Sequence, residues 1–266
     1  MSANASYTHG HHKSVLSSHQ WRTVENSAAY LTAHLRPGLS LLDVGCGPGT
    51  ITAGLARRVA PGQVTAVDAA EIVLDEARNN AEGLGNVAFA VADVHALDFP
   101  DGTFDVVHAH QVLQHVADPV QALREMRRVT RPGGIVAARD ADFGGMVWYP
   151  NPSGMDSWLP VYYNVARANG GEPDAGRRLV SWAREAGFAD VTASASSWCY
   201  STPEEREWWS ESWGGRLVRS SLADKAVAGG HATRDGLQRI YEGWKAWAAA
   251  DDGWYAVTHG EIICRR

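Results

Sequence analysis

Asp43, Gly45, Cys46, Gly47 and Gly49 lie in the run Leu39–Thr50, an apolar stretch that ends in an acid and breaks into alternating glycines. With no Cβ at 45, 47 and 49, backbone N–H groups can approach a ligand closely. Ile51, Leu55 and Val59 follow at helical spacing, so a helix starting near Thr50 aims its unpaired N–H groups at the same point. The chemistry this predicts is the holding of an anionic group just above Gly45–Gly49. Asp68 closes the next apolar run, 23 residues after Gly45, near the offset at which doubly wound folds place an acid on ribose hydroxyls. A carboxylate can accept both vicinal hydroxyl protons, although Asp68 could instead cap the next helix. His115 supplies an imidazole that titrates near neutrality and suits proton removal, with Asp140 able to orient or charge-balance it. The bland reading of His115 is a residue bonding its own backbone, and Asp142 is an alternative to Asp140 because strand ends are uncertain by two residues.

The elements that must position these groups are read from periodicity. Trp21, Val24, Ala28, Leu31 and Leu35 predict a helix over 20–35, stopped by Pro37-Gly38. Strands are expected over 63–68, 87–91, 104–111 and 135–140, each short and apolar as in a buried parallel sheet. His110 and Gln111 end one of them and are expected to line the ligand cleft. Asp118-Pro119 with Gln121 predicts a capping box opening the next helix. Farther on, 173–187 predicts a helix, 188–200 a strand, 203–250 helical structure and 254–264 the last strand.

Glycine at position 50 would complete the dinucleotide pattern G-x-G-x-x-G, but Thr50 stands there. The run Asp43-x-Gly45-x-Gly47-x-Gly49 instead resembles motif I of class I S-adenosylmethionine (SAM) methyltransferases. Downstream, Leu113-x-His115-Val116-x-Asp118-Pro119, then Glu125, Arg128, Val129 and Pro132-Gly133-Gly134, is similar to the methyltransferase type 11 group, which includes ubiquinone and menaquinone methyltransferases. The resemblance covers about residues 39–140. It implies a doubly wound Rossmann-like α/β fold with a seven-stranded, mostly parallel sheet, helices on both faces and a helical lid. It also implies SAM as cofactor and S-adenosylhomocysteine as product. The glycine loop would hold the amino-acid end and Asp68 with Ala69 the ribose. Asp93 would take the adenine amino group, a turn aspartate being the competing reading, and Val94 would supply a backbone N–H. Some O-methyltransferases of this group pair a loop histidine with a strand-end acid, as His115 and Asp140 would.

The organisation expected is an N-terminal arm and helix over 1–38 covering the cofactor and a SAM-binding core over 39–140. Residues 141–266 would complete the sheet and carry helical acceptor-binding insertions, all within a single domain. Tyr7 and His12 are candidate cofactor contacts from the arm. Of the 11 tryptophans, 10 lie at or beyond position 148. Taken singly, each is expected in the core, packing helix against sheet; taken together, Trp148-Tyr149, Trp158, Tyr162-Tyr163 and Trp208-Trp209 sit in segments expected to arch over the cleft and to suit a small aromatic or hydrophobic acceptor. A formal charge of −6 argues against a nucleic-acid partner. No apolar run reaches a membrane span, and the three scattered cysteines fit a reduced, cytoplasmic setting without a metal site. The sequence does not decide between monomer and homodimer. Two other classes compete with a methyltransferase: a nicotinamide-dependent oxidoreductase on a similar sheet, and a non-catalytic SAM-binding module.

Overall fold

Residues 21–266 are described by a computed structural model. The chain begins with two short helical turns, α1 (Val24–Ser27) and α2 (Ala29–Thr32), where one longer helix is expected. Thr23 and Asn26 form a capping box that starts α1 at Val24, Asn26 also donating to the Trp21 carbonyl, and the break falls at Ala28, whose φ of −136° leaves the helical region. Such a box satisfies the first free N–H groups of a helix and fixes where it begins. The regular alternation comes next: β1 (Leu41–Val44), α3 (Thr50–Val59), β2 (Val64–Asp68), α4 (Glu71–Asn80), β3 (Val87–Val91), β4 (Phe104–His110), α5 (Pro119–Val129) and β5 (Thr130–Ala141). Then come β6 (Val147–Tyr149), α6 (Met155–Ala168), α7 (Ala175–Glu185), β7 (Asp190–Tyr200), α8 (Pro203–Arg219), α9 (Ser221–Ala228), α10 (Arg234–Ala249) and β8 (Trp254–Arg265).

The described chain divides into two compact units. The larger comprises residues 21–141, Ala175–Ser196 and His259–Arg266. Here β1 to β5 pair in parallel in the order β3-β2-β1-β4-β5, β8 adds antiparallel to β5, and β7 pairs with β8. These are the seven strands expected of a mostly parallel Rossmann-like sheet; β6, in the other unit, is an eighth.

Alternation sorts the strand residues by face. Leu42, Val44, Val107, Ala109, Val136 and Ala138 pack one face, which α5 and α7 cover with Leu123, Met126, Leu179 and Ala183. Leu41, Val106, Ile135, Ala137 and Ile263 pack the other, beneath Leu31, Leu55 and Val59. Asp118 caps α5 by accepting from Gln121 N–H at 2.8 Å. The expected capping box is only half made, because the Gln121 amide donates to the His95 carbonyl instead. Glu125 and Arg128 pin the preceding loop: Glu125 accepts from Leu97 N–H, and Arg128 donates to the Leu97 and Phe99 carbonyls. That gives the Glu-x-x-Arg spacing a structural task.

The smaller unit comprises Asp142–Asp174 and Ser197–Thr258. Its helix α6 escapes sequence reading because Pro160 interrupts the pattern. Strand β6 pairs antiparallel with the start of β8, Tyr149 opposite Trp254. Its core is aromatic. Trp158, Tyr162, Trp244, Trp247 and Tyr255 are fully buried, with Trp158 and Trp213 ring centroids 5.1 Å apart. Trp158, Tyr162 and Trp209, expected over a cleft, are thus buried in this core, where large rings contribute most when removed from water. Tyr149, by contrast, is exposed. No helix among the described residues is long and apolar enough to cross a membrane.

Candidate active site

In parallel α/β sheets ligands collect at the carboxyl edge of the strands, so the site is built from the segments that leave β1, β2, β3, β4 and β5. After β1, Gly45, Gly47 and Gly49 take φ values of 66°, 52° and 77°, a region that disfavours side chains. What surrounds each differs. A Cβ added at Gly45 would lie 2.4 Å from Val112 Cγ2, and one at Gly49 would lie 2.9 Å from the Ala77 backbone of α4. At Gly47 it would meet nothing within 4 Å. The first and third glycines therefore allow close packing, while the middle one borders open space. Gly49 caps α3, whose first N–H groups face this loop.

Asp68 ends β2 and faces the same loop. One carboxylate oxygen accepts from Gly47 N–H and the other from Ala70 N–H, each at 3.0 Å. A carboxylate has lone pairs beyond these two bonds, so Asp68 shapes the glycine loop and can still accept further hydrogen bonds. Ala69 lies between these anchored positions. Asp93, after β3, is a turn aspartate: its Oδ1 accepts from His95 N–H at 2.9 Å and lies 2.7 Å from His95 Nδ1. Those bonds, the backbone one foremost, hold its carboxyl below the usual range. Val94 beside it is buried.

Asp43 is turned into the sheet, and Cys46 is half-buried in the glycine loop. Asp43 is buried in the sheet, with Oδ2 accepting from the Thr52 hydroxyl at 2.6 Å and Oδ1 lying 2.8 Å from His108 Nδ1. Its part is to hold β1, α3 and β4 together. Burial, reinforced by Asp43 and Asp68, pushes the Cys46 thiol far up, so it is inert at neutral pH.

Past the apolar half of the sheet, the face under α1 and α2 turns polar. Asp43, His108, His110, Arg139, Glu261 and His259 are all buried on it. Arg139 pairs with Glu261 at 3.2 Å, and Glu261 also accepts from the Ser194 and Ser196 hydroxyls. Burial lowers Arg139 to about 10. His110 stacks on His259 with centroids 6.4 Å apart. Burial, then the positive charges of Arg139 and Arg22, holds it well below the ordinary histidine range, so it is neutral at pH 7. Gln111 comes next with φ 54°, the one non-glycine residue at positive φ among the described residues. Sequence reading missed this stripe except at Asp43 and His110; alternate polar residues in otherwise apolar strands were its only signal.

The predicted acid-base pair comes together through an intermediary. Asp140 is completely buried, and its Oδ1 accepts from Gln114 N–H at 3.0 Å, with a further bond from Leu113 N–H. Its Oδ2 is buried without a hydrogen-bond partner among the described residues. Burial pushes the Asp140 carboxyl up to about 7, against the lowering by those two N–H groups. His115 sits in the 3-10 turn Leu113–His115, its Nε2 3.0 Å from Gln114 Nε2. Gln114 thus touches both residues. Asp142, the alternative acid, belongs to the smaller unit, and its backbone N–H donates to the Thr258 carbonyl. Tyr7 and His12 lie outside the described residues.

A profile of the methyltransferase domain family matches residues 42–138, the span that holds the glycine loop, Asp68, Asp93 and the turn after β4. An uncharacterised methyltransferase of Schizosaccharomyces pombe is 35% identical over 271 residues, covering 98% of this chain and 96% of that protein. The ubiquinone/menaquinone biosynthesis C-methyltransferase UbiE of Hahella chejuensis is 43% identical over 104 residues, 38% of this chain and 42% of its own. Among solved structures, the YcgJ protein of Bacillus subtilis shares the fold with a TM-score of 0.60 at 17% identity, over 90% of this chain and 96% of that one. The site suits the cofactor this family uses. The open side of Gly47, the N-terminus of α3 and the remaining acceptor capacity of Asp68 meet at one edge. The chain belongs to the methyltransferase domain family and is an enzyme that depends on S-adenosylmethionine.

Proposed function

We propose that this methyltransferase acts on an acidic hydroxyl, or on a carbon conjugated with it, of a small aromatic or hydrophobic metabolite, and that Asp140 removes the acceptor's proton. The observation that carries the reading is Asp140 itself: a buried carboxyl raised to about 7, one oxygen fixed by backbone N–H groups and the other unpartnered. A base poised at the working pH is most effective, and a phenol or enol is acidic enough to exchange its proton with it. Gly45, Gly47 and Gly49 would hold the amino-acid end of the cofactor, and Asp68 with Ala69 the ribose. Asp93 and Val94 would stand at the adenine. Bound there, SAM supplies a methyl group already activated on a sulfonium. The chain adds alignment, exclusion of water and a place for the proton: it leaves the acceptor oxygen for Asp140 Oδ2 as the oxygen or its conjugated carbon gains the methyl. His115 would then modulate the turn through Gln114 without contacting the reacting atoms. The similarity to a C-methyltransferase of quinone biosynthesis supports an acceptor of this class.

Methyl-labelled SAM, offered with a panel of phenols, enols, amines and peptides, tests the proposal. Label is expected in phenolic or enolic small molecules. Transfer confined to amines or macromolecules would overturn it. Thermal shift adds a check, since S-adenosylhomocysteine and not NAD should raise the melting temperature.

A further inference from the structure

Gln111 ends β4 in a left-handed backbone conformation that costs a residue with a side chain of order 1–3 kcal/mol unless its surroundings impose it. Those surroundings are visible. Arg22 Nη2 donates to Gln111 Oε1 at 2.8 Å, and Gln111 Nε2 lies 2.8 Å from His259 Nε2. A guanidinium can only donate, so the amide oxygen must face Arg22 and the amide nitrogen must donate to His259. The same logic makes His259 Nε2 an acceptor and places the ring proton on Nδ1. The backbone is held too, as Gln111 N–H donates to the Arg139 carbonyl at 2.7 Å. Three segments far apart in sequence thus fix one residue, two through its side chain and one through its backbone.

Immediately after Gln111, the chain turns and meets both halves of the site. Val112 presses on Gly45, so closely that any Cβ there would collide with it. Leu113 and Gln114 then direct their N–H groups at Asp140. We propose that Gln111 is a positioning residue: clamped by Arg22 and His259, it sets the turn that seats the glycine loop and the buried acid together. The ligand-contacting role expected of Gln111 is thereby replaced by an indirect one. The proposal builds on the assignment of Asp140 as base, but its test is independent of turnover.

Gln111→Gly removes the side chain while leaving the left-handed backbone accessible, whereas Gln111→Ala removes the clamp and keeps the strain. Two quantities are read on the full chain: S-adenosylhomocysteine affinity by calorimetry and the Asp140 titration midpoint by carbon-13 NMR. Loss of one charge-assisted hydrogen bond predicts about tenfold weaker binding for Gln111→Gly and for Arg22→Ala. The Asp140 midpoint should rise further above the ordinary aspartate range in both, because the backbone N–H groups of the turn that lower it are misplaced and, in Arg22→Ala, a lowering positive charge is removed as well. Combining the two substitutions should cost no more than either alone, because they break the same link. Wild-type affinity and midpoint in Gln111→Gly would overturn the proposal, as would simple additivity in the double variant. Should Asp140→Asn keep full turnover, the base assignment falls while these readouts still decide the part played by Gln111.

Discussion

Asp43 and His108 stand opposite each other on the parallel strands β1 and β4, with Asp43 Oδ1 2.8 Å from His108 Nδ1 in the interior of the sheet. The acid that opens the glycine motif is therefore a strut. It joins the strand bearing the loop to the strand bearing the candidate acceptor turn, and through Thr52 to the helix whose N-terminus faces the ligand.

Removing one partner of such a buried pair leaves the other unsatisfied. Asp43→Ala is expected to destabilise the chain by about 3–5 kcal/mol, and Asp43→Asn, which keeps an acceptor oxygen toward only one of His108 and Thr52 and turns a donor NH2 toward the other, by less. Chemical denaturation measures both. Equal and small losses would show that the strut carries no load of this kind.

Asp68 makes a different prediction because its bonds go to the loop and not to the core. Asp68→Ala frees Gly47 N–H and removes the expected ribose acceptor, so S-adenosylhomocysteine affinity should drop about 10- to 100-fold. Calorimetry reads this directly. The melting temperature without ligand should move little, since the residue is only half-buried.

Among the glycines, Gly45 and Gly47 separate packing from binding. Gly45→Ala drives a methyl group into Val112 and adds left-handed strain, a loss of about 1–3 kcal/mol in stability. Gly47→Ala meets no neighbour, so the same strain should come with a methyl group in the open space proposed for the ligand. Denaturation and ligand titration on the two variants should therefore show stability loss dominating at 45 and affinity loss at 47.

Much of this was legible in the sequence for a local reason. The glycine spacing, the acid ending β2 and the Asp118 cap each involve residues a few positions apart, so periodicity and turn chemistry place them without tertiary information. Gln111 is the counterexample. Its partners Arg22 and His259 lie 89 and 148 residues away, and nothing in the string Ala109-His110-Gln111-Val112 signals a left-handed backbone. Asp43 was legible as part of a motif, but a motif names a residue without saying to which side of the strand it points, and its bonds to Thr52 and His108 came only with the structure. The tryptophans left two readings open. Aromatic abundance after position 148 suited both a cleft wall and a core, and the smaller unit buries Trp158, Trp209, Trp244 and Trp247 in its interior.

Asp140 sets activity against stability. Its folded carboxyl titrates near 7, above the value of about 3.9 expected in an unfolded chain. The native state therefore holds a proton that the unfolded state has lost across that window, and stability declines as pH rises from about 4 to about 7, then levels off. An Asp140→Asn variant has no charge to bury at this position, so it should gain on the native chain through the same window, reaching a few kcal/mol above pH 7. Turnover should move the other way, falling about 10²- to 10⁴-fold with loss of the pH-rate limb near 7. A melting series from about pH 4.5 to about pH 8.5 beside a pH-rate profile tests both halves, because it brackets the window between the two titration points. A variant that is less stable well above neutrality, or that keeps the limb, would show that the proton resides elsewhere.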